Sequence, residues 1–443
     1  MLFRSDYHWH IKAGEYMFKH GPLKHDIFSW YLSGKYWMSH EWLFEIILYV
    51  FKLVFGKYHL FIYGFICITS LLLILFFANK KNYLKNIPFS ICWLIFAIIF
   101  STFIQGRPHL ISFNLLALTI WFLYDNYLNE NSKLIYFLPI ITIIWANVHG
   151  GSSNLSYLFC FVFLFAGLFN FKIGKVEMKR ISKKQIFKYL IIALLCMISI
   201  NINIHGFKMF LYPYQNMTDK LMLENIMEWK PTDINNPNHW LYLIIVIVSI
   251  SVGLYSKKKI NFLDLVLFGV ALLLGFKSIR FWVYTYIIMS FVIFNYVDEL
   301  KTNKQIHYIA LSISIILLSL AVFNTNRLTQ KFNATYLNSD IIEKVKEENP
   351  QRLFNIYDHG GELIYNDIPV FIDSRADLYS KYNYADYLNI STLKGDYVAL
   401  INKYNFDYFL VDVRFPINTY LRYDSNYEAL LQSGPVILYK KNS

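Results

Sequence analysis

Residues 134–171 read LIYFLPIITIIWANVHGGSSNLSYLFCFVFLFAGLFNF, 38 positions without an Asp, Glu, Lys or Arg. A helix needs about 20 apolar residues to cross a hydrocarbon core of about 30 Å, so this run is too long for one crossing. Its centre, Asn147-Val-His-Gly-Gly-Ser-Ser-Asn154, is a turn signal and predicts a hairpin of two helices. Outward from it, further apolar runs occupy 58–79, 86–106, 108–124, 189–207, 240–255, 261–276, 281–297 and 305–326. Together they predict ten spans. The run at 261–276 is short, carries Asp264 and ends at Lys277.

Composition agrees with a polytopic membrane protein. The 443 residues are 56% hydrophobic and 16% charged, against about 25% charged in soluble chains. The net charge of +12 is unevenly spread: residues 324–443 hold 13 Lys+Arg against 15 Asp+Glu, and residues 1–323 hold 29 against 15. The excess therefore belongs to the membrane part, and no basic arm interleaved with aromatics points to nucleic acid. With loops 79–86, 125–133, 172–188, 256–260 and 298–305 on one side, those loops carry 16 Lys+Arg and the connections between spans on the other side carry six. The positive-inside rule then predicts residues 1–57 and the C-terminal tail outside. Cys67, Cys92, Cys160 and Cys196 all lie within apolar runs, where they read as small apolar residues rather than a disulfide or zinc framework.

Three parts follow: 1–57, an extracytoplasmic loop with an interfacial helix; 58–326, the transmembrane bundle; and 327–443, an extracytoplasmic domain. Residues 1–41 show no signal peptide or preceding apolar span. Placing them outside requires either translocation of a short polar segment or a helix ahead of them. Trp42–Phe55 (WLFEIILYVFKLVF) is short for a span and predicts an interfacial helix with Glu45 and Lys52 turned to water. In the tail, 340–348 predicts a charged helix and 352–357, 369–373, 406–412 and 436–441 predict short strands. The fold class is thus an α-helical polytopic membrane bundle of about ten spans with a small α/β C-terminal domain.

Polar and ionisable residues concentrate on the outer face. The first loop holds Asp6, His8, His10, Asp26, His40 and Glu41; later outer turns hold Arg107 and His109, Asn147 and His149, Glu228 and Trp229, and Lys277 and Arg280. So many histidines on one side suggest a pocket at the water–lipid boundary. Two cations one turn apart, Lys277 and Arg280, suit a phosphate. Each residue also has a plainer reading. Asp6 reads equally as a solvated carboxylate, Arg107 and Arg280 as interface anchors, and Asn147 and His149 as turn chemistry beside Gly150-Gly151. His8 and His10 lack the third partner that metal pairs usually have; His40 or Glu41 could complete such a set, but no metal ligand is assigned. In the tail, Gly360-Gly361 reads as a turn, and Asp373 as an ion-pair partner of Arg375 or a neighbour.

The block Asp6-x-x-x-His10-Ile-x-x-Gly14, Pro22-x-x-x-Asp26-x-Phe28-Ser29-Trp30, Gly34-x-x-Trp37 and His40-Glu41-Trp42-Leu43 continues as Trp145-Ala-Asn147-x-His149-Gly150-Gly151. Glu228-Trp229, Gly360-Gly361-Glu-Leu and Val370-Phe-Ile-Asp373-x-Arg375 complete the set. Over almost the whole chain this resembles a large group of bacterial polytopic proteins related to GT-C-type glycosyltransferases, the class that includes protein mannosyltransferases and lipid A aminoarabinose transferases. The resemblance implies a GT-C-like fold in the bacterial cytoplasmic membrane and an inverting transfer from a polyprenyl-phosphate-linked sugar to an envelope glycan, lipid or protein. It implies Asp6 as general base or metal ligand, with Glu41 as a second acid. The departing phosphate needs cations or a divalent metal, a need that Arg107, His149, Lys277 and Arg280 could meet. His10, His40 and Asn147 complete the expected substrate-binding set. Two other classes stay open. A transporter or lipid permease would place ionisable groups near the bilayer midplane, and a non-catalytic envelope scaffold would act through its tail alone.

Overall fold

The structure is a computed structural model that describes residues 6–79, 106–296, 312 and 337–442. The expected spans at 86–106 and 305–326, and the loops 79–86 and 298–305, lie almost wholly outside these residues. The chain divides into two compact units. One comprises Met1–His59, Thr218–Met222 and Thr329–Ser443, the other Leu60–Met217 and Leu223–Leu328.

The second unit is helical: α3 (His59–Ala78), α4 (His109–Leu128), α5 (Leu138–Val148), α6 (Leu155–Gly167), α7 (Lys183–Ser199), α8 (Phe207–Thr218), α9 (Lys220–Asn225, whose first residues belong to the other unit), α10 (Trp240–Tyr255), α11 (Phe262–Lys277) and α12 (Trp282–Tyr296). Among the described residues, Trp42–Ala78, Gly150–Gly167, Pro237–Tyr255 and Ile279–Tyr296 are long and apolar enough to cross a membrane, and Leu134–Val148 is a shorter apolar helix. This is a mostly helical membrane protein, and the described residues hold four such stretches, while two of the ten expected spans lie almost wholly outside them. Several runs end early: the one at 189–207 breaks at Ser199, where Asn201 and Asn203 bond nearby backbone carbonyls. The turn at 147–154 is present as a single 3-10 turn, Gly150–Ser152. Its two helices pack chiefly on α4 and α7 rather than on each other. α12 is apolar on all sides and packs against α4, α10 and α11, as a helix without a polar face must.

The first unit joins the N-terminal segment and the tail around one core. α1 (Asp6–His20) packs on α2 (Trp42–Phe55) and on α14 (Gly360–Tyr365). A four-stranded sheet, β4 (Leu353–Asn355), β5 (Tyr408–Asp412), β6 (Tyr427–Ser433) and β7 (Val436–Lys441), runs in the order β4-β5-β7-β6, parallel between β4 and β5 and otherwise antiparallel. β5 is buried at all five positions and reads as an unbroken apolar run before its Asp, the pattern of a strand covered on both faces. The charged helix forms as α13 (Ser339–Glu348). Two tail expectations are corrected. Residues 369–373 form no strand; Val370 makes one bridge to Ser29, and the Asn355 side chain takes the backbone of Phe371 and Ile372. Gly360-Gly361 opens α14 instead of turning the chain, and position 360 needs glycine because a Cβ there would lie 2.4 Å from the Ile372 carbonyl oxygen.

At the centre of this unit Arg375 is fully enclosed. Its guanidinium donates to Asp373 from Nε (2.8 Å) and Nη2 (2.6 Å), and to Asp26 from Nη1 (2.6 Å). Tyr379 donates to Asp373 (2.6 Å), Ser29 donates to Asp26 from both its hydroxyl and its backbone, and the guanidinium stacks 4.6 Å from the Trp37 ring. The Asp373–Arg375 pair is the one expected from the sequence; Asp26 is the added partner. Burial alone would push the Asp26 carboxyl up, but Arg375 and Ser29 outweigh it and hold it below the usual range.

Removing the cation would strand two carboxylates without water, so Arg375→Met should cost about 3–5 kcal/mol, read as a lowered unfolding temperature in detergent. His359 is buried, and burial pushes its pKa down to about 4. Between pH 6.5 and 4 the unfolded chain takes up a proton there and the folded chain does not, so stability should fall with pH across that window, by up to about 3 kcal/mol. His359→Leu should flatten that slope in a pH series of thermal melts.

Candidate functional site

In the first unit an acid–histidine group forms where α1 crosses α2. His10 lies on the α1 face turned to α2; Glu41 precedes α2 and Glu45 lies one turn further along. His10 Nε2 is 3.4 Å from Glu41 Oε2, and His10 Nδ1 is 3.3 Å from Glu45 Oε1. His40 Nε2 is 3.0 Å from the other Glu41 oxygen, and Ser39 donates to Glu45 Oε2 at 2.9 Å. His10, Glu41 and Glu45 are all buried. The close crossing depends on Gly14, where a Cβ would sit 2.0 Å from the Glu45 carbonyl oxygen. Asp6 opens α1, half-buried, one turn before His10 and on the same helix face.

Glu45 is the residue that sequence reasoning misplaced. Read as facing water, it is wholly enclosed, and Lys52 donates to the Tyr365 hydroxyl at 2.5 Å. The missed signal is spacing. Glu41 and Glu45 stand four apart, and the small residues Ala13 and Gly14 mark the α1 face that admits them.

Two carboxylates around one imidazole call for a shared cation. One ligand atom from each of His10, Glu41 and Glu45 falls within 4.8 Å of the others, and one nitrogen with two carboxylate oxygens suits a divalent ion. The donor set therefore fits a metal, although the imidazole now stands between the two acids with one nitrogen facing each.

In the second unit three of the expected turns gather. Arg107 Nη1 bonds Glu228 Oε1 (2.9 Å), and the Arg107 carbonyl accepts from Tyr63 (2.8 Å). The Glu228 carbonyl accepts from Ser278 (2.6 Å), the Ile279 amide bonds the Lys230 carbonyl (3.0 Å), and Trp282 donates to Thr232 (2.9 Å). The Arg280 guanidinium lies 4.9 Å from the Trp229 ring centre, and Lys277 is exposed at the end of α11. Loop 228–232, absent from the expected binding set except as a motif, is what ties Arg107 to the turn carrying Arg280. His149 is held differently. Its Nδ1 is 2.7 Å from Ser112 Oγ and 2.8 Å from Ser152 Oγ, both hydroxyls also accept from Trp145 Nε1, and the His109 ring centre lies 4.5 Å away. Asn147 donates to the carbonyls of Ile143 (2.7 Å) and Ile202 (2.9 Å), a cross-link between chain segments.

A methyl at Gly14 should separate α1 from α2. Gly14→Ala would stabilise an ordinary helix interior by up to about 1 kcal/mol. Here it should destabilise by about 1–3 kcal/mol, and thermal unfolding gives the sign.

The chain matches no protein-family model and no curated protein. Its fold is similar to that of the Archaeoglobus fulgidus oligosaccharyltransferase in the apo form, with a TM-score of 0.53 at 12% identity, over 93% of this chain and 66% of that one. The archaeal oligosaccharyltransferase AglB from Archaeoglobus fulgidus, in complex with an inhibitory peptide and a dolichol-phosphate, gives a TM-score of 0.53 at 12% identity, over 92% and 65%. The chain thus spans just under two thirds of their length. The likeness is one of fold.

Proposed function

We propose that this chain is a GT-C-type membrane glycosyltransferase that moves a sugar from a polyprenyl-phosphate donor to an envelope acceptor, inverting the anomeric centre. The observation that carries the reading is the buried His10–Glu41–Glu45 group on a GT-C fold. Burying two acids around an imidazole is costly, and buried ionisable clusters of this kind gather at functional sites. The dolichol-phosphate bound by the fold neighbour AglB supports a lipid-phosphate donor.

In the proposed reaction a carboxylate takes the proton of an acceptor hydroxyl. The acceptor oxygen bonds the anomeric carbon on one face, and the bond to the phosphate oxygen breaks on the other. The phosphate departs with the electron pair. Asp6 is the general base or a metal ligand, and Glu41 the second acid. His10 and His40 fix the orientation and protonation of Glu41. Arg107, Lys277, Arg280 and His149, with Asn147, form the donor-phosphate set. A divalent ion held by His10, Glu41 and Glu45 would supply Lewis-acid stabilisation of charge. The excess of Lys and Arg in the loops of one side supports a reading with residues 327–443 outside a bacterial cytoplasmic membrane, 58–326 as the bundle and 1–57 as the outer loop.

Asp6→Asn should lower transfer from a polyprenyl-phosphate sugar by about 10²–10⁴-fold, while detergent extraction and unfolding temperature stay as in the native chain. Normal turnover in that variant would overturn the assignment of Asp6.

A further inference from the structure

The second unit carries a basic surface that the proposed reaction does not use. Three chain segments are bound together there. β1 (Phe171–Ile173) and β2 (Val176–Met178) form a hairpin, and β2 pairs in parallel with β3 (Ile260–Asn261), matching Val176 to Ile260 and Glu177 to Asn261. Lys175 Nζ donates to the carbonyls of Gly253 (3.0 Å), Leu254 (2.8 Å) and Ser256 (2.5 Å), closing the end of α10 onto the hairpin. Gln185 and Lys188 of α7 donate to the carbonyls of Asn126 (2.8 Å) and Glu130 (2.6 Å), drawing in the loop after α4.

The pairing concentrates charge. Lys172, Lys179, Arg180, Lys183, Lys184, Lys257, Lys258 and Lys259 are all exposed on these segments. Among the described residues, Glu177 pairs with Lys259 (3.0 Å) and Glu130 with Lys184 (3.5 Å). Lys183 and Lys184 open α7, the end where the helix dipole disfavours cations. Apolar groups are exposed beside the charges: Ile173 at the hairpin is 72% exposed, Phe187 66% and Leu254 68%. α6 and α10, which lead into this surface, belong to two of the stretches able to cross a membrane.

We propose that this surface binds the headgroups of anionic phospholipids in the leaflet it faces. Cations beside exposed apolar side chains, at the end of membrane-spanning helices, match a headgroup phosphate above an acyl boundary. A soluble polyanion would engage the charges but leave Ile173, Phe187 and Leu254 unused. A lipid satisfies both. The assignment needs no knowledge of the sugar, acceptor or transfer chemistry.

The test reconstitutes the full chain into phosphatidylcholine bilayers doped with spin-labelled phosphatidylglycerol or spin-labelled phosphatidylcholine, and reads the immobilised fraction of each. The native chain should retain phosphatidylglycerol several-fold over phosphatidylcholine, and about 1 M salt should collapse the preference, since screening then acts over about 3 Å. A variant with Lys179→Gln, Arg180→Gln, Lys183→Gln and Lys257→Gln should lose the preference. A variant with Lys179→Arg, Arg180→Lys, Lys183→Arg and Lys257→Arg should keep it, which separates lost charge from lost folding. Lys381→Gln with Lys394→Gln, in the other unit, should leave it unchanged. The proposal is overturned if the native chain shows no preference, if the Gln variant keeps it, or if millimolar inorganic phosphate abolishes it at constant ionic strength.

Discussion

One buried guanidinium organises the unit that holds the acid–histidine group. Arg375 reaches Asp26 from the N-terminal loop and Asp373 from its own turn, and 349 positions separate Asp26 from it. Such a cluster is tolerable only when each partner is in place, because an isolated buried charge costs several kcal/mol. It therefore acts as a condition on the whole arrangement. Neighbouring bonds follow the same line: Trp9 on α1 donates to Ser374 (2.9 Å), and Trp30 donates to the Leu353 carbonyl at the start of β4 (3.0 Å). With α1 fixed by Trp9, and α2 held against it through Gly14, His10 has one place to go. That place lies between Glu41 and Glu45.

The two units carry different chemistry. The first concentrates carboxylates and imidazoles, groups that accept, hold and pass protons. The second concentrates guanidinium and hydroxyl groups on turns laced by backbone bonds, suited to holding an anion in position. Serine and tryptophan around His149 give its ring a fixed setting, and Glu228 does the same for Arg107. The opposite end of the second unit is tied as firmly, by a short sheet and lysine side chains that bond backbone carbonyls.

Much of this is visible in the residues themselves. Charge-free runs mark α3, α10 and α12 closely, because apolar length has few readings besides burial or lipid. The turn at 147–154, the ion pair of Asp373 with Arg375, and β4, β5 and β7 follow from local pattern. The edge strand β6 does not. YEALLQS is a weak strand former with a register break between Ala429 and Leu431, and only its neighbour makes it a strand. Asp26 as the third member of the Arg375 cluster is also out of reach, since nothing local announces a partner so far along the chain. Glu45 was misplaced for a related reason. An acid on an amphipathic helix reads as solvent-facing until the helix covering it is known.

The first unit is written in the chain as three separated pieces: the N-terminal 59 residues, Thr218–Met222, and the tail from Thr329. Its sheet places β7, made last, between β5 and β6. During synthesis the sheet lacks an interior strand until the last residues are made, and Asp26 lacks its arginine until the intervening membrane helices have been made. The early segment must wait in an unfinished state while hundreds of residues pass. Completion of the buried Arg375 cluster is thereby tied to completion of the bundle, so the N-terminal segment reaches its final packing only after the membrane helices exist.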